Sequence, residues 1–319
     1  MHYLAFDVSR DTADGVLLSS TLTIKERFSV PNTTEEIISL IRQCQALHAS
    51  LTVGAESTGL FHLPVVEAAE HCGIPCRILN PLLTKQFLKS SIRKRKTDRE
   101  DAVVIAKLLA QNEGTPVLTK DIRNPARVHG RAVNKLTSLR TSCMMYLRTV
   151  EKRLGSVPPA CTQVLTALEE AHDAMVAALA NEIPTADRLL LESIPGIGPK
   201  LSLSILSEIG GINRFSSGDS LIAYAGLDPK IRQSGALLLS VGRMTKRGSP
   251  HLRRAFFLAA NVARMHDPEL KVFYEKKRAE GKRHSAATCA VARKLTIRIF
   301  AVLKRKSAYK VKEPSTPSP

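Results

Sequence analysis

Apolar residues alternate with polar ones, or run together, over residues 3–9, 14–20 and 22–30, and the breaks between these runs, RDTADG and a short polar step, have turn composition. That pattern predicts three consecutive strands in an antiparallel meander. After Pro31-Asn32-Thr33 the period changes: Ile37, Ile38, Leu40 and Ile41 line one helical face, and LTVGAE returns as a buried strand. A helix over 60–72, a strand over 75–79 and a helix over 81–89 extend the alternation. Thr97-Asp98-Arg99-Glu100 has the form of a capping box, so a helix starts there with Val103, Val104, Ala106 and Leu108 opening its buried stripe. From about residue 125, Leu136, Leu139, Cys143, Leu147, Val150 and Leu154 recur in steps of three and four, and Val164, Leu168, Met175 and Leu179 resume the pattern after Val157-Pro158-Pro159. Two long antiparallel helices follow from this near-heptad spacing.

The third region opens with RLLLESIPGIGPKLSLSILSEIG, a helix, a tight glycine turn and a second helix. Its form is that of a helix-hairpin-helix element, in which Gly196 and Gly198 would let backbone N–H groups approach a phosphate, with Lys200 beside them. The same string also reads as an interhelix turn that touches nothing. The glycine-punctuated stretch 230–254 reads as a short hairpin or loop feeding a helix, a last helix covers roughly 285–304, and the tail KVKEPSTPSP lacks the apolar residues to order itself. Three strands followed by alternating helix and strand is the ribonuclease H order of elements. The expected class is therefore α/β plus α. The expected segments are a catalytic domain over 1–122, long helices over 123–186, a mainly helical domain over 187–307 and a disordered tail over 308–319.

Charge sharpens the functional reading. The net charge of +18 is distributed as −4 over residues 1–80, +11 over 81–160, −4 over 161–240 and +15 over 241–319. Two basic segments in a chain of pI near 9.9 point to a polyanionic partner. With no Trp and 4% aromatic residues, shape and phosphate contact should outweigh base stacking. Six cysteines lack the paired spacing of a zinc ribbon, His71, Cys72 and Cys76 have no second cluster to complete a metal set, and no apolar run is long enough to span a bilayer. A reducing, cytoplasmic, nucleoid-associated protein is the expectation.

Chemistry centres on four acids. Asp7 lies in an apolar strand and Glu56 ends another, while Asp98 and Asp101, three residues apart, share one face of a helix's first turn. Acids at a helix start also complement the macrodipole without further function. Taken with Asp7 and Glu56, however, they form the oxygen-rich set that two-metal phosphoryl transfer requires, with Mg²⁺ or Mn²⁺ as the ion. The nine histidines are scattered, and neither His-Glu-x-x-His nor Gly-x-Ser-x-Gly occurs. Lys85, Lys89, Arg93, Lys94, Arg95 and Lys96 precede the acidic helix, where cations would guide phosphate backbone.

The series DVSRDT, AESTG, KTDREDAVVIAKLL, IPGIGPKLSLSILSEIG, YAGLDPKIRQSG and TKRGSPHLRRAFFLAA resembles the DEDD transposases of bacterial insertion-sequence family 110, relatives of the pilin-gene inversion recombinases. The likeness covers about residues 3–305. It implies a RuvC-like N-terminal domain, a coiled-coil insertion and a C-terminal transposase domain with a serine nucleophile that forms a phosphoserine link. It also implies a structured non-coding bridge RNA as guide, target and donor double-stranded DNA as substrates, and a homodimer or tetramer. The family's acidic tetrad falls on Asp7, Glu56, Asp98 and Asp101. Its serine falls on Ser234, with Ser240 and Ser249 as neighbouring alternatives, and Arg232, Arg243, Lys246, Arg247, Arg253 and Arg254 lie beside it as phosphate contacts. A junction-resolving nuclease that uses the same acids without a covalent step is the alternative reading.

Overall fold

In strand β1 (His2–Val8) side chains alternate, sending Leu4, Phe6 and Val8 to one face of the sheet and Ala5 to the other. It pairs antiparallel with β2 (Thr12–Ser19), which pairs antiparallel with the more exposed edge strand β3 (Ile24–Pro31). This is a computed structural model of the protein, describing residues 1–90, 98–234 and 237–311, with the side chains of residues 89, 90, 98, 99, 121 and 230–243 left aside.

Helix α1 (Thr34–Leu47) is capped by the Thr33 side chain, which accepts from the Glu36 N–H, and buries Ile37, Leu40, Ile41 and Cys44. It leads to β4 (Leu51–Glu56), parallel to β1, then α2 (Leu63–His71), β5 (Cys76–Leu79), α3 (Pro81–Ser90) and α4 (Asp98–Ala110). A short strand β6 (Thr115–Pro116), not anticipated from the pattern, pairs antiparallel with β5, and a single turn α5 (Thr119–Ile122) ends this unit. The sheet order β3-β2-β1-β4-β5-β6 is the ribonuclease H-like arrangement extended by one strand. One face is covered by α1 and α2, the other by α4, whose Ala102, Ile105, Ala106 and Leu109 pack on Ala5, Val16 and Leu18. The capping box at Thr97 lies outside the described residues.

Contacts divide the chain at Asn124/Pro125. The second unit begins with α6 (Pro125–Leu154) and α7 (Pro159–Glu182), which run antiparallel: His129 meets Glu182 and Arg140 meets Glu169. Of the heptad residues, Leu139, Leu154 and Val164 are exposed, whereas Leu147 and Leu179 are buried, as is Val133 near the root. The root is sealed because Val133, Leu179 and Ile183 enter the core of the helices that follow. The long helices expected as a separate segment over 123–186 therefore share one core with the C-terminal region.

That core is built by α8 (Thr185–Glu192), α9 (Pro199–Ile209), α10 (Gly218–Ala225), the hairpin β7 (Pro229–Ser234) and β8 (Leu237–Met244), then α11 (Pro250–His266), α12 (Pro268–Ala279) and α13 (His284–Arg305). Helix α12 was missed in the sequence; its signal is Asp267-Pro268, with the Asp267 carboxylate capping the Leu270 N–H at 3.0 Å. The tail from Lys312 onward lies outside the described residues. Among the described residues no helix is long and apolar enough to cross a membrane, and all six cysteines are free thiols. Burial pushes the Cys44 thiol up to about 11 and Cys76 to about 12, so both are inert protonated core residues at neutral pH.

Candidate catalytic carboxylates and serine hairpin

In the parallel register Phe6 stands opposite Ala55, which sets Asp7 and Glu56, the next residues on β1 and β4, side by side. Phe6, Val53 and Ala55 belong to the α1–α2 core, so by strand alternation Asp7 and Glu56 project from the opposite face, the one α4 covers. Both are half-buried. Helix α4 brings a third acid, the half-buried Asp101, in its first turn, and its first residue is Asp98, whose side chain lies outside the described residues. Gly54 makes the close seating possible. A Cβ there would stand 2.7 Å from the Arg77 carbonyl oxygen and 2.7 Å from Leu109 Cδ2.

Two residues that sequence reasoning missed hold this end of the sheet in place. The buried Thr84 on α3 places its hydroxyl between Glu56 Oε2, a very short hydrogen bond, and the Pro81 carbonyl at 3.0 Å. Asn32 Nδ2 donates to the carbonyls of Ser9 at 2.8 Å and Phe61 at 2.9 Å, tying the turn after β1 to the loop after β4. A lone hydroxyl in the apolar helix PLLTKQFL was the available signal for Thr84; Asn32 reads only as part of a helix start.

The donor set is carboxylate oxygen without sulfur or imidazole, which suits Mg²⁺ or Mn²⁺ rather than zinc. Among the described residues, which leave out the Asp98 side chain, no three acidic, His or Cys side chains are grouped to enclose an ion.

The second element of interest is the β7–β8 hairpin. Ser234 ends β7 opposite Leu237, at the tip, and Ser240 pairs with Arg232 farther down; their side chains lie outside the described residues. The base of the hairpin is firmly clasped. Thr245 N–H donates to the Asp228 carbonyl at 2.9 Å and its hydroxyl to Asp228 Oδ1 at 2.6 Å, and Ser249 N–H donates to the Tyr224 carbonyl at 2.9 Å. Gly248 is required here, since a Cβ would come within 2.2 Å of that same Tyr224 oxygen. Ser249 is buried: it caps α11 by accepting from the Leu252 N–H at 3.1 Å and donates its hydroxyl to Glu208 Oε2 at 2.8 Å. Being sequestered and engaged, it is removed as an alternative nucleophile.

The expected phosphate contacts separate by placement. Lys85, Lys200, Lys246, Arg247 and Arg254 are exposed. Arg253 instead turns inward, its Nη1 donating to the Ala225 carbonyl at 3.1 Å at the end of α10, so it serves as a helix cap. Gly196, at φ +93°, has no room for a side chain, since a Cβ would lie 2.5 Å from the Ala259 carbonyl of α11. Gly198, at the start of α9, has open space beside it. Lys89, Arg232 and Arg243 carry side chains outside the described residues, as do Arg93, Lys94, Arg95 and Lys96 in full.

Residues 4–150 match the model of the IS110 DEDD transposase domain, described as a transposase, and residues 188–275 match the Transposase IS116/IS110/IS902 family. The chain is 25% identical to the pilin gene-inverting protein of Moraxella lacunata over 96% of this chain and 97% of that protein. It is 26% identical to the transposase for insertion sequence element IS1111A of Coxiella burnetii over 75% of this chain and 74% of that one. Among solved structures, T. thermophilus RuvC in complex with a Holliday junction substrate aligns with a TM-score of 0.30 and 14% identity, over 37% of this chain and 99% of RuvC. With these family models matched one after the other over residues 4–150 and 188–275, the chain belongs to the IS110 family of DEDD transposases and recombinases.

Proposed function

We propose that this protein is an RNA-guided DNA recombinase of an insertion sequence that cuts and exchanges strands with Asp7, Glu56, Asp98 and Asp101 as metal-holding acids and Ser234 as nucleophile. The observation that carries the reading is the adjacency of Asp7 and Glu56 on one face of parallel strands, beneath a helix that begins with two more acids. Those four residues would hold Mg²⁺. When bound, the ion would supply charge stabilisation for the oxygens around the phosphorus.

The Ser234 oxygen forms a bond to phosphorus as the bond from phosphorus to a deoxyribose oxygen breaks. The serine proton passes to a base, and the leaving oxygen ends as a hydroxyl. The phosphodiester energy is kept in the protein–DNA link, so a hydroxyl from a second strand reverses the step and completes the exchange. Thr84 orients Glu56, and the exposed cations Lys85, Lys246, Arg247 and Arg254 hold phosphate backbone without reading sequence. Sequence choice then falls to pairing between a bridge RNA and the target and donor DNA. A protein with few aromatics and many phosphate contacts is suited to that division.

The test is an adduct trap on a nicked DNA substrate with co-purified RNA. The native chain should form a covalent protein–DNA species, and Ser234→Ala should form none while still binding RNA. Metal-dependent cleavage without any adduct from the native chain would favour the junction nuclease instead.

A further inference from the structure

Glu208, in the last turn of α9, is wholly buried. Burial by itself would raise its carboxyl pKa, but the Arg131 guanidinium and the Ser249 hydroxyl more than offset this and hold it below the usual carboxylate value. Arg131 Nε, from the root of α6, donates to Oε1 at 2.7 Å; Ser249 Oγ, from the cap of α11, donates to Oε2 at 2.8 Å. The carboxylate is buried while Arg131 is half exposed, and withdrawing a carboxylate from water for such a partner is a poor way to gain stability. What this carboxylate does supply is direction: Oε1 accepts from Arg131, while Oε2 accepts chiefly from Ser249, with a longer bond of 3.4 Å from Arg131 Nη2, so two elements meet on one group. One is the root of the α6–α7 pair. The other is the residue at which the chain leaves the serine hairpin, only four residues, Thr245–Gly248, after the end of β8.

Close packing reinforces the same junction. A Cβ on Gly130 of α6 would meet Ser207 Oγ at 2.2 Å, so α6 lies directly against α9 one residue from Glu208. Asn134 Nδ2 donates to Ser204 Oγ at 3.2 Å one turn farther along.

We infer that Glu208 is a positioning residue for the serine hairpin: through Ser249 and Arg131 it fixes the base of β7–β8 to the root of the helical pair, so that Ser234 is presented in one attitude and any displacement of α6 reaches it. The inference rests on the reading of Ser234 as the nucleophile. Its mechanical part stands apart from that reading.

The experiment uses the full chain with its co-purified RNA and compares Ser249→Ala, Ser249→Thr, Arg131→Met, and Arg131→Met combined with Glu208→Leu. All are measured at a temperature where each variant is fully folded by circular dichroism. Backbone hydrogen exchange should quicken in β7–β8 for Ser249→Ala and, from the other side of the junction, for Arg131→Met. Exchange in α12 and α13 should not change. Adduct formation per folded molecule should slow by about tenfold to a hundredfold, as misplacement of a reacting group by about 1 Å does, with RNA affinity unchanged. Ser249→Thr, which keeps the hydroxyl, should restore both readouts. The apolar double variant should recover melting temperature but not the rate. Exchange confined to α6 in Arg131→Met, or a double variant that recovers rate together with melting temperature, overturns the inference and leaves Glu208 a structural residue. Absence of an adduct from the native chain instead overturns the Ser234 reading, and the exchange pattern then still decides whether the junction is coupled.

Discussion

Gly130 and Gly54 show how single missing side chains set the positions of larger parts. In α6, Gly130→Ala gains helix propensity of up to about 1 kcal/mol, but the added methyl meets Ser207 Oγ at 2.2 Å and Ser207 Cβ at 2.7 Å, and rotating the hydroxyl relieves only the first. Overpacking of about 1–3 kcal/mol wins, so the variant should be destabilised in urea unfolding. Gly54→Ala faces a backbone oxygen and Leu109 of α4 and should cost a similar amount; because that helix carries Asp98 and Asp101, strand cleavage should fall with it. Thr84→Val removes the donor that orients Glu56 at little change in volume. It should lower the cleavage rate more than the melting temperature, and equal losses in both would deny Thr84 an orienting role.

Among elements, the end of the second unit is held by a polar ladder that no motif announces. Arg298 on α13 donates to Asp267 Oδ2 at 2.7 Å and to Glu269 Oε2 at 2.5 Å, Lys294 reaches Glu269 Oε1 at 2.7 Å, and the Tyr309 hydroxyl donates to Asp267 Oδ2 at 2.6 Å. Burial would raise the Asp267 carboxyl, but Tyr309, the Leu270 N–H and Arg298 bring it below its ordinary value; Glu269 is lowered first by the Lys294 hydrogen bond. A depressed carboxylate contributes stability that is present above the unfolded value, about 4, and is lost as pH falls through the folded one. Unfolding free energy should therefore hold from pH 7 to about 5 and drop below about 4, and Asp267→Asn should flatten that drop. Tyr309→Phe leaves Asp267 one donor short and should cost about 1–3 kcal/mol in urea unfolding at pH 7.

At the scale of the whole molecule, electrostatics governs the partner. The basic excess sits in residues 81–160 and 241–319, and each phosphate neutralised contributes a slope of about −0.9 in log K against log salt on duplex DNA. Binding titrations from 50 to 300 mM salt should give a slope of several units, and charge reversal at Lys246, Arg247 and Arg254 should reduce it by about one per contact with little effect on sequence preference. Arg253, which caps α10, should behave differently: its reversal should lower stability and leave the slope nearly unchanged.

Local periodicity and local chemistry carried much of this protein in the sequence itself. The strand alternation of YLAFDV and LTVGAE, the helix period after Asp98 and the near-heptad of the long helices are short-range signals that burial on one face enforces, so the elements and the placement of Asp7, Glu56 and Asp101 were legible. What only the tertiary structure decided depends on distant residues meeting. Strand β6 exists because β5 leaves an edge for it, and position 196 must be glycine because α11, some sixty residues away, fills the space a Cβ would need. Arg253 is a cap because α10 ends beside it, and Ser249 is sequestered because Glu208 lies forty-one residues earlier in sequence yet 2.8 Å away in space. A polar residue's type states which bonds it can make, but the packing of elements chooses the partner, and that choice separates a cap from a clamp that look alike in one dimension.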